Sequence, residues 1–121
     1  AKRVVRLNVS GAFHSPLMEP AARGLREKLE AVDFRDPAYP VFANVTAGPV
    51  TSGARARELL VEQLTSPVRW AASVTAMVAA GAERFLEVGP GSVLCGLNKR
   101  NAKGLPCTSL GEPADIQAFQ G

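Results

Sequence analysis

Val9-Ser10-Gly11-Ala12-Phe13-His14-Ser15-Pro16 is the stretch on which the reading of this chain turns. Upstream, Val4, Val5, Leu7 and Val9 alternate over residues 3–10 as a strand would. Gly11 breaks that run, and Ser15-Pro16 has the form of an N-cap followed by a first helical position. A strand-to-helix handover is where α/β proteins present reactive side chains. His14, the sole histidine of the chain, sits inside it. An imidazole there can accept and return a proton near neutral pH. A lone histidine is also commonly a surface or structural residue, so its position alone assigns it no role.

Downstream of the handover, Pro20 is awkward for a helix beginning at Pro16, so regular helix is expected from Glu19. Met18, Ala22, Leu25, Leu29 and Val32 then recur at helical spacing as one inward stripe. Val41-Phe42-Ala43-Asn44-Val45 reads as a buried strand, with a loop through Gly48-Pro49 and Gly53 after it. Residues 54–65 read as a helix with Leu59, Leu60 and Leu64 inward, and Pro67 opens another, faced by Trp70, Val74, Met77 and Val78 and closed at Gly81. Residues 84–88 form a strand, 92–101 a helix, 105–110 a strand and 112–119 a terminal helix. Strands of continuous apolar character separated by helices indicate an α/β fold with a mostly parallel sheet covered on both faces.

Composition narrows the function classes. The 121 residues suffice for one domain of modest core. No apolar run approaches the ~20 residues that cross a bilayer, and no signal-peptide core follows the basic first residues. These absences lead to the expectation of a cytoplasmic protein without a membrane partner. Cys95 and Cys107 lack metal-ligand spacing and are expected to be reduced thiols, in the core or near the surface. The net charge of +3 comes from 14 basic and 11 acidic residues. The basic residues are scattered and carry no interleaved aromatics, which argues against nucleic acid. A basic surface fits an acidic partner or a polyphosphate ligand equally well, and solvated helix faces account for most of it.

Gly89-Pro90-Gly91-Ser92 leads from a strand into a helix like a phosphate loop, but Leu94 stands where a third glycine is needed and no Walker lysine follows. A tight strand–helix turn is the better reading. Gln63 falls on the inward side of its helix, where a polar group needs a partner; nearby backbone or a functional group would both serve. No G-x-S-x-G nucleophile elbow occurs in the chain, so it offers a base without a nucleophile.

Three motifs in order carry a resemblance: Gly11-Ala12-Phe13-His14-Ser15-Pro16-Leu17-Met18, Pro67-Val68-Arg69-Trp70, and Glu87-Val88-Gly89-Pro90-Gly91-Ser92-Val93-Leu94. The chain resembles the C-terminal part of the malonyl-CoA:acyl carrier protein transacylase family. The resemblance implies an α/β-hydrolase-like acyltransferase core, with residues 1–10 as the last strand of an inserted ferredoxin-like subdomain and 11–121 as the C-terminal part of the large core. It further implies transfer of malonyl from malonyl-CoA to the phosphopantetheine thiol of acyl carrier protein, by Ser–His ping-pong chemistry, with no cofactor or metal. The serine and a substrate-binding arginine lie outside this chain. His14 is then the catalytic histidine, and Gln63 supplies a backbone carbonyl to its ring. Phe13 and Val93 fall at substrate-binding positions, with Phe13 crowding an α-methyl group. Lys2 and Arg3 fall where acyl carrier protein docks. The missing N-terminal part, or a symmetry mate, is expected to cover the open strands. A second expectation is a non-catalytic α/β module that binds an acidic carrier protein or coenzyme A.

Overall fold

A computed structural model describes residues 4–6 and 11–119. The chain divides into two compact units, Ala1–Val68 and Arg69–Gly121. The strand expected over residues 3–10 lies mostly outside the described residues; Val4–Arg6 are described, and they are exposed without regular structure.

In the first unit a 3-10 turn at Pro16–Met18 leads into helix α1, Glu19–Glu30. Pro20 is tolerated because the first-turn amides of a helix have no intrahelical acceptor. Ala22 is buried, and Met18, Leu25 and Leu29 are half-buried. Val32 is exposed, because the helix ends at Glu30 and the chain turns away through Ala31.

Strand β1, Val41–Ala43, pairs antiparallel with strand β2, Gly48–Val50, in the register Val41↔Val50, Phe42↔Pro49 and Ala43↔Gly48. This corrects two expectations. Residues 41–43 form one arm of a hairpin, and 44–45 enter its turn, rather than 41–45 being a buried strand of a parallel sheet; Val41 is exposed, and Gly48-Pro49 belongs to the second arm rather than to a loop. The turn closes by the Ala47 N–H donating to the Ala43 carbonyl at 2.8 Å, with Ala47 at φ +56.

Helix α2, Gly53–Thr65, follows. Ser52 caps it by accepting from the Arg55 N–H, and the Gly53 N–H donates to the Asp36 carboxylate at 2.8 Å. Leu59 and Val61 are buried and Leu60 is half-exposed at 49%, so Leu60 is not an inward residue and Val61 is. The cause is two-sided cover. Val61 lines a cavity with Leu29 of α1, whereas Leu59 and Leu60 line one with Val41 and Phe42 of the hairpin. One inward stripe cannot describe a helix packed on both flanks.

In the second unit helix α3, Trp70–Ala79, begins three residues after Pro67. Val74 and Ser73 are fully buried, Trp70 and Met77 half-buried, and Val78 is exposed at 38%, off the expected face. The helix closes with the Gly81 N–H on the Val78 carbonyl and the Ala82 N–H on the Met77 carbonyl, which places Gly81 at φ +96. Strand β3, Phe85–Val88, runs parallel to strand β4, Cys107–Leu110, in the register Phe85↔Cys107 through Val88↔Leu110. Helix α4, Val93–Asn101, is the crossover that a parallel pair requires. Helix α5, Pro113–Ala118, ends the described chain; Asp115 caps it by accepting from the Gly111 and Glu112 N–H groups at 2.9 Å.

The architecture is α/β with a small parallel pair and a separate hairpin among the described residues. Cys95 and Cys107 form a disulfide, which overturns the expectation of reduced thiols. The crossover brings the first turn of α4 beside the first residue of β4, a proximity that a spacing of 12 does not reveal. No described helix is long and apolar enough to cross a membrane.

Candidate functional site

His14 is held in an unusual backbone conformation. Its φ of +61 lies in the left-handed region that non-glycine residues seldom enter. The Ser15 hydroxyl donates to the Ala12 carbonyl at 2.7 Å, and the Met18 N–H to the Ser15 carbonyl at 3.0 Å, so hydrogen bonds fix the chain on both sides of it. Such conformations are held only where the surroundings over-determine them, and they cluster at functional sites.

The imidazole is exposed, and its Nδ1 lies 2.8 Å from the main-chain carbonyl oxygen of Gln63. A lone pair on Nδ1 would face the lone pairs of that oxygen, so the proton is assigned to Nδ1, which donates. The Gln63 side-chain nitrogen is 3.2 Å from the same ring atom and donates to the Ser66 carbonyl at 2.9 Å. Gln63 therefore has two tasks: its main chain orients the ring, and its side chain ties the end of α2 to the next residues. With the proton on Nδ1, Nε2 carries the lone pair and can accept a proton. A cavity of about 330 Å³, lined by Phe42, Asn44, Val50, Leu59 and Leu60, reaches Gln63 from the hairpin side.

The first unit thus brings His14 and Gln63 together across 49 residues of sequence. Phe13 is next in the chain and is 59% exposed. Val93 belongs to the second unit, at the first position of α4, and is exposed. Lys2 and Arg3 lie outside the described residues.

Glu87, within the third motif, has a role that its position in the sequence does not assign. Its carboxylate accepts from the Leu94 N–H at 3.0 Å, from the Cys95 N–H at 2.8 Å and from the Ser109 hydroxyl at 3.4 Å. The Cys95 and then the Leu94 amides hold this carboxyl below the usual carboxylate range. Gly89 at φ +128 and Gly91 at φ +94 make the intervening turn. Amides that an outside phosphate would need at the start of α4 are already bound by Glu87, so this segment is a closed turn. The signal for it is an acidic residue near a strand end, six positions before the first residue of a helix. No cluster of metal-ligating side chains occurs among the described residues.

No family model matches the chain. A malonyl CoA-acyl carrier protein transacylase of Bacillus subtilis (strain 168) is 45% identical over 97% of this chain and 37% of its own length. An acyl carrier protein S-malonyltransferase from Vibrio cholerae superposes with a TM-score of 0.89 at 39% identity, over 98% of this chain and 39% of its own. Over nearly its whole length the chain is similar to malonyl CoA-acyl carrier protein transacylases. A further structural match, TM-score 0.83 at 39% identity over 92% of this chain and 36% of its own, is a malonyl-transacylase in complex with its type II PKS acyl-carrier protein. The chain spans well under half the length of these transacylases.

Proposed function

We propose that this chain is the histidine-bearing part of a malonyl-CoA:acyl carrier protein transacylase. The whole protein takes malonyl from malonyl-CoA onto a serine, then passes it to the phosphopantetheine thiol of acyl carrier protein, with no cofactor. The observation that carries the reading is the 2.8 Å hydrogen bond from His14 Nδ1 to the Gln63 carbonyl. It sets Nε2 as the basic atom and fixes the ring plane, the task the third member of a triad otherwise performs. His14 Nε2 would take the proton from the serine as it attacks the thioester, then give it to the departing coenzyme A thiol. In the second half it would take the carrier thiol's proton and return it to the serine.

In this reading residues 1–10 belong to a ferredoxin-like subdomain and 11–121 are the C-terminal part of an α/β-hydrolase-like core. Phe13 contacts the acyl group, and Lys2 and Arg3 meet the acidic carrier protein. These 121 residues hold no nucleophile elbow, so the chain by itself takes up no malonyl.

In the complete protein His14→Ala is expected to slow malonyl transfer by about 10²–10⁴-fold, the usual effect of losing a general base. Gln63→Ala keeps the carbonyl and is expected to lose far less. Transfer at the wild-type rate in His14→Ala refutes the assignment. A covalent malonyl adduct on the isolated chain would refute the placement of the nucleophile outside it.

A further inference from the structure

We propose that Cys95 and Cys107 form a reversible dithiol–disulfide site that clasps α4 to β4. This does not rest on the transacylase reading, since both residues belong to the second unit and His14 to the first. The Cα atoms of the pair are 5.4 Å apart, inside the window of about 4.4–6.8 Å that a disulfide spans. The backbone therefore has the spacing that both the bridge and its re-formation need.

Access is provided on one side. Cys95 is 8% exposed in the first turn of α4, while Cys107 is half-buried at the start of β4. A cavity of about 300 Å³ adjoins both sulfur-bearing residues and is lined also by Lys99, Gly104 and Leu105. It admits a small thiol. Lys99 lies one helical turn after Cys95 and shares that cavity, and a nearby cation favours a thiolate.

The exchange balances with a small-molecule disulfide as oxidant. One cysteine thiolate attacks it, forming a mixed disulfide and releasing one small thiol. The second cysteine thiolate then displaces the other, so the pair loses two electrons and two protons while the oxidant becomes two thiols.

Closure acts on the elements the pair joins. The Cys95 N–H is one of the donors to Glu87, and Cys107 opens the β3–β4 ladder opposite Phe85. The bridge spans 12 positions of sequence and pins the crossover helix to the strand that follows it.

The test is a titration of the native chain in glutathione buffers of varied oxidised-to-reduced ratio, followed by acid quench, maleimide labelling and mass measurement. The expected result is a single reversible conversion between no labels and two. The melting transition read by Trp70 fluorescence should lie about 5–10 °C higher in the oxidised form, as expected for a short cross-linked loop in a domain of this size. Cys95→Ser should melt at one temperature in both buffers; Cys107→Ser gives the same reading if the first variant does not fold. Two labels in oxidising buffer, reduction only after denaturant, or equal wild-type melting in both forms would each overturn the proposal.

Discussion

Gly53→Ala tests the packing that positions α2, and Gly24→Ala is its counterpart. An ideal Cβ on Gly53 would lie 2.6 Å from the Arg35 carbonyl oxygen and also against that of Phe34. Ordinary carbon–oxygen contacts begin near ~3.3 Å, so the added methyl overlaps by roughly 0.7 Å. The obstruction is backbone and cannot rotate aside. Keeping the geometry costs about 1–3 kcal/mol as overpacking. Backing α2 away instead loses the charge-assisted bond from the Gly53 N–H to Asp36, again about 1.5–3 kcal/mol. Either route lowers the first unit's melting temperature by about 4–12 °C at roughly 4 °C per kcal/mol for a domain of this size. Gly24, inside α1, has nothing within 4 Å of its ideal Cβ. The same chemical change there should stabilise by about 0.5–1 kcal/mol, because alanine is the better helix former. Urea unfolding followed by circular dichroism reads both. A Gly53→Ala protein as stable as wild type, or the same sign at both positions, refutes the close approach of α2 to residues 34–36.

Glu87 carries a folded-state pKa below its unfolded one, so its contribution is present above about pH 4.3 and is lost as pH falls through the folded value. Trp70 fluorescence melts should therefore fall on acidification in wild type, and Glu87→Gln should melt lower at neutral pH with a smaller fall; parallel profiles would remove Glu87 from the account. In the complete protein Phe13→Ser should relax discrimination against methylmalonyl-CoA by about 1–3 kcal/mol in competition assays, the worth of one methyl against a pocket wall. An unchanged preference means Phe13 is not the gate. Reversing Lys2 and Arg3 should slow carrier loading, less so at high salt, while acylation by malonyl-CoA is kept. Equal loss of both steps would indicate misfolding.

Local chemistry was legible where a residue announces its own backbone need. Pro20 set the start of α1 at Glu19, and Gly89-Pro90-Gly91 before Ser92 set the start of α4. Gly81 closed α3. What failed depended on partners distant in sequence. Val61 is buried because α2 also has a flank beside α1, which a single inward stripe does not foresee. Pro49, which lacks an amide hydrogen, hid an outer strand as a loop. The pairing of Cys95 with Cys107 follows from the crossover, not from their spacing. At the candidate site, an inward polar residue at 63 signalled a need for a partner, but only the family resemblance connected it to His14.

The carbonyl that holds the imidazole is one of the last in α2, where its i+4 position, Pro67, has no amide hydrogen and only the Ser66 N–H donates from the main chain, at 3.4 Å. The ring therefore completes the helix end while the helix end aims the ring. Every amino acid has that oxygen, so replacing the side chain at position 63 cannot delete it. What does remove it is fraying, and terminal turns open at far lower free energy than the core. The orientation of His14 is accordingly tied to how fully the helix terminus stays closed, and amide exchange at Ser66, whose N–H donates to the same oxygen at 3.4 Å, reports that opening.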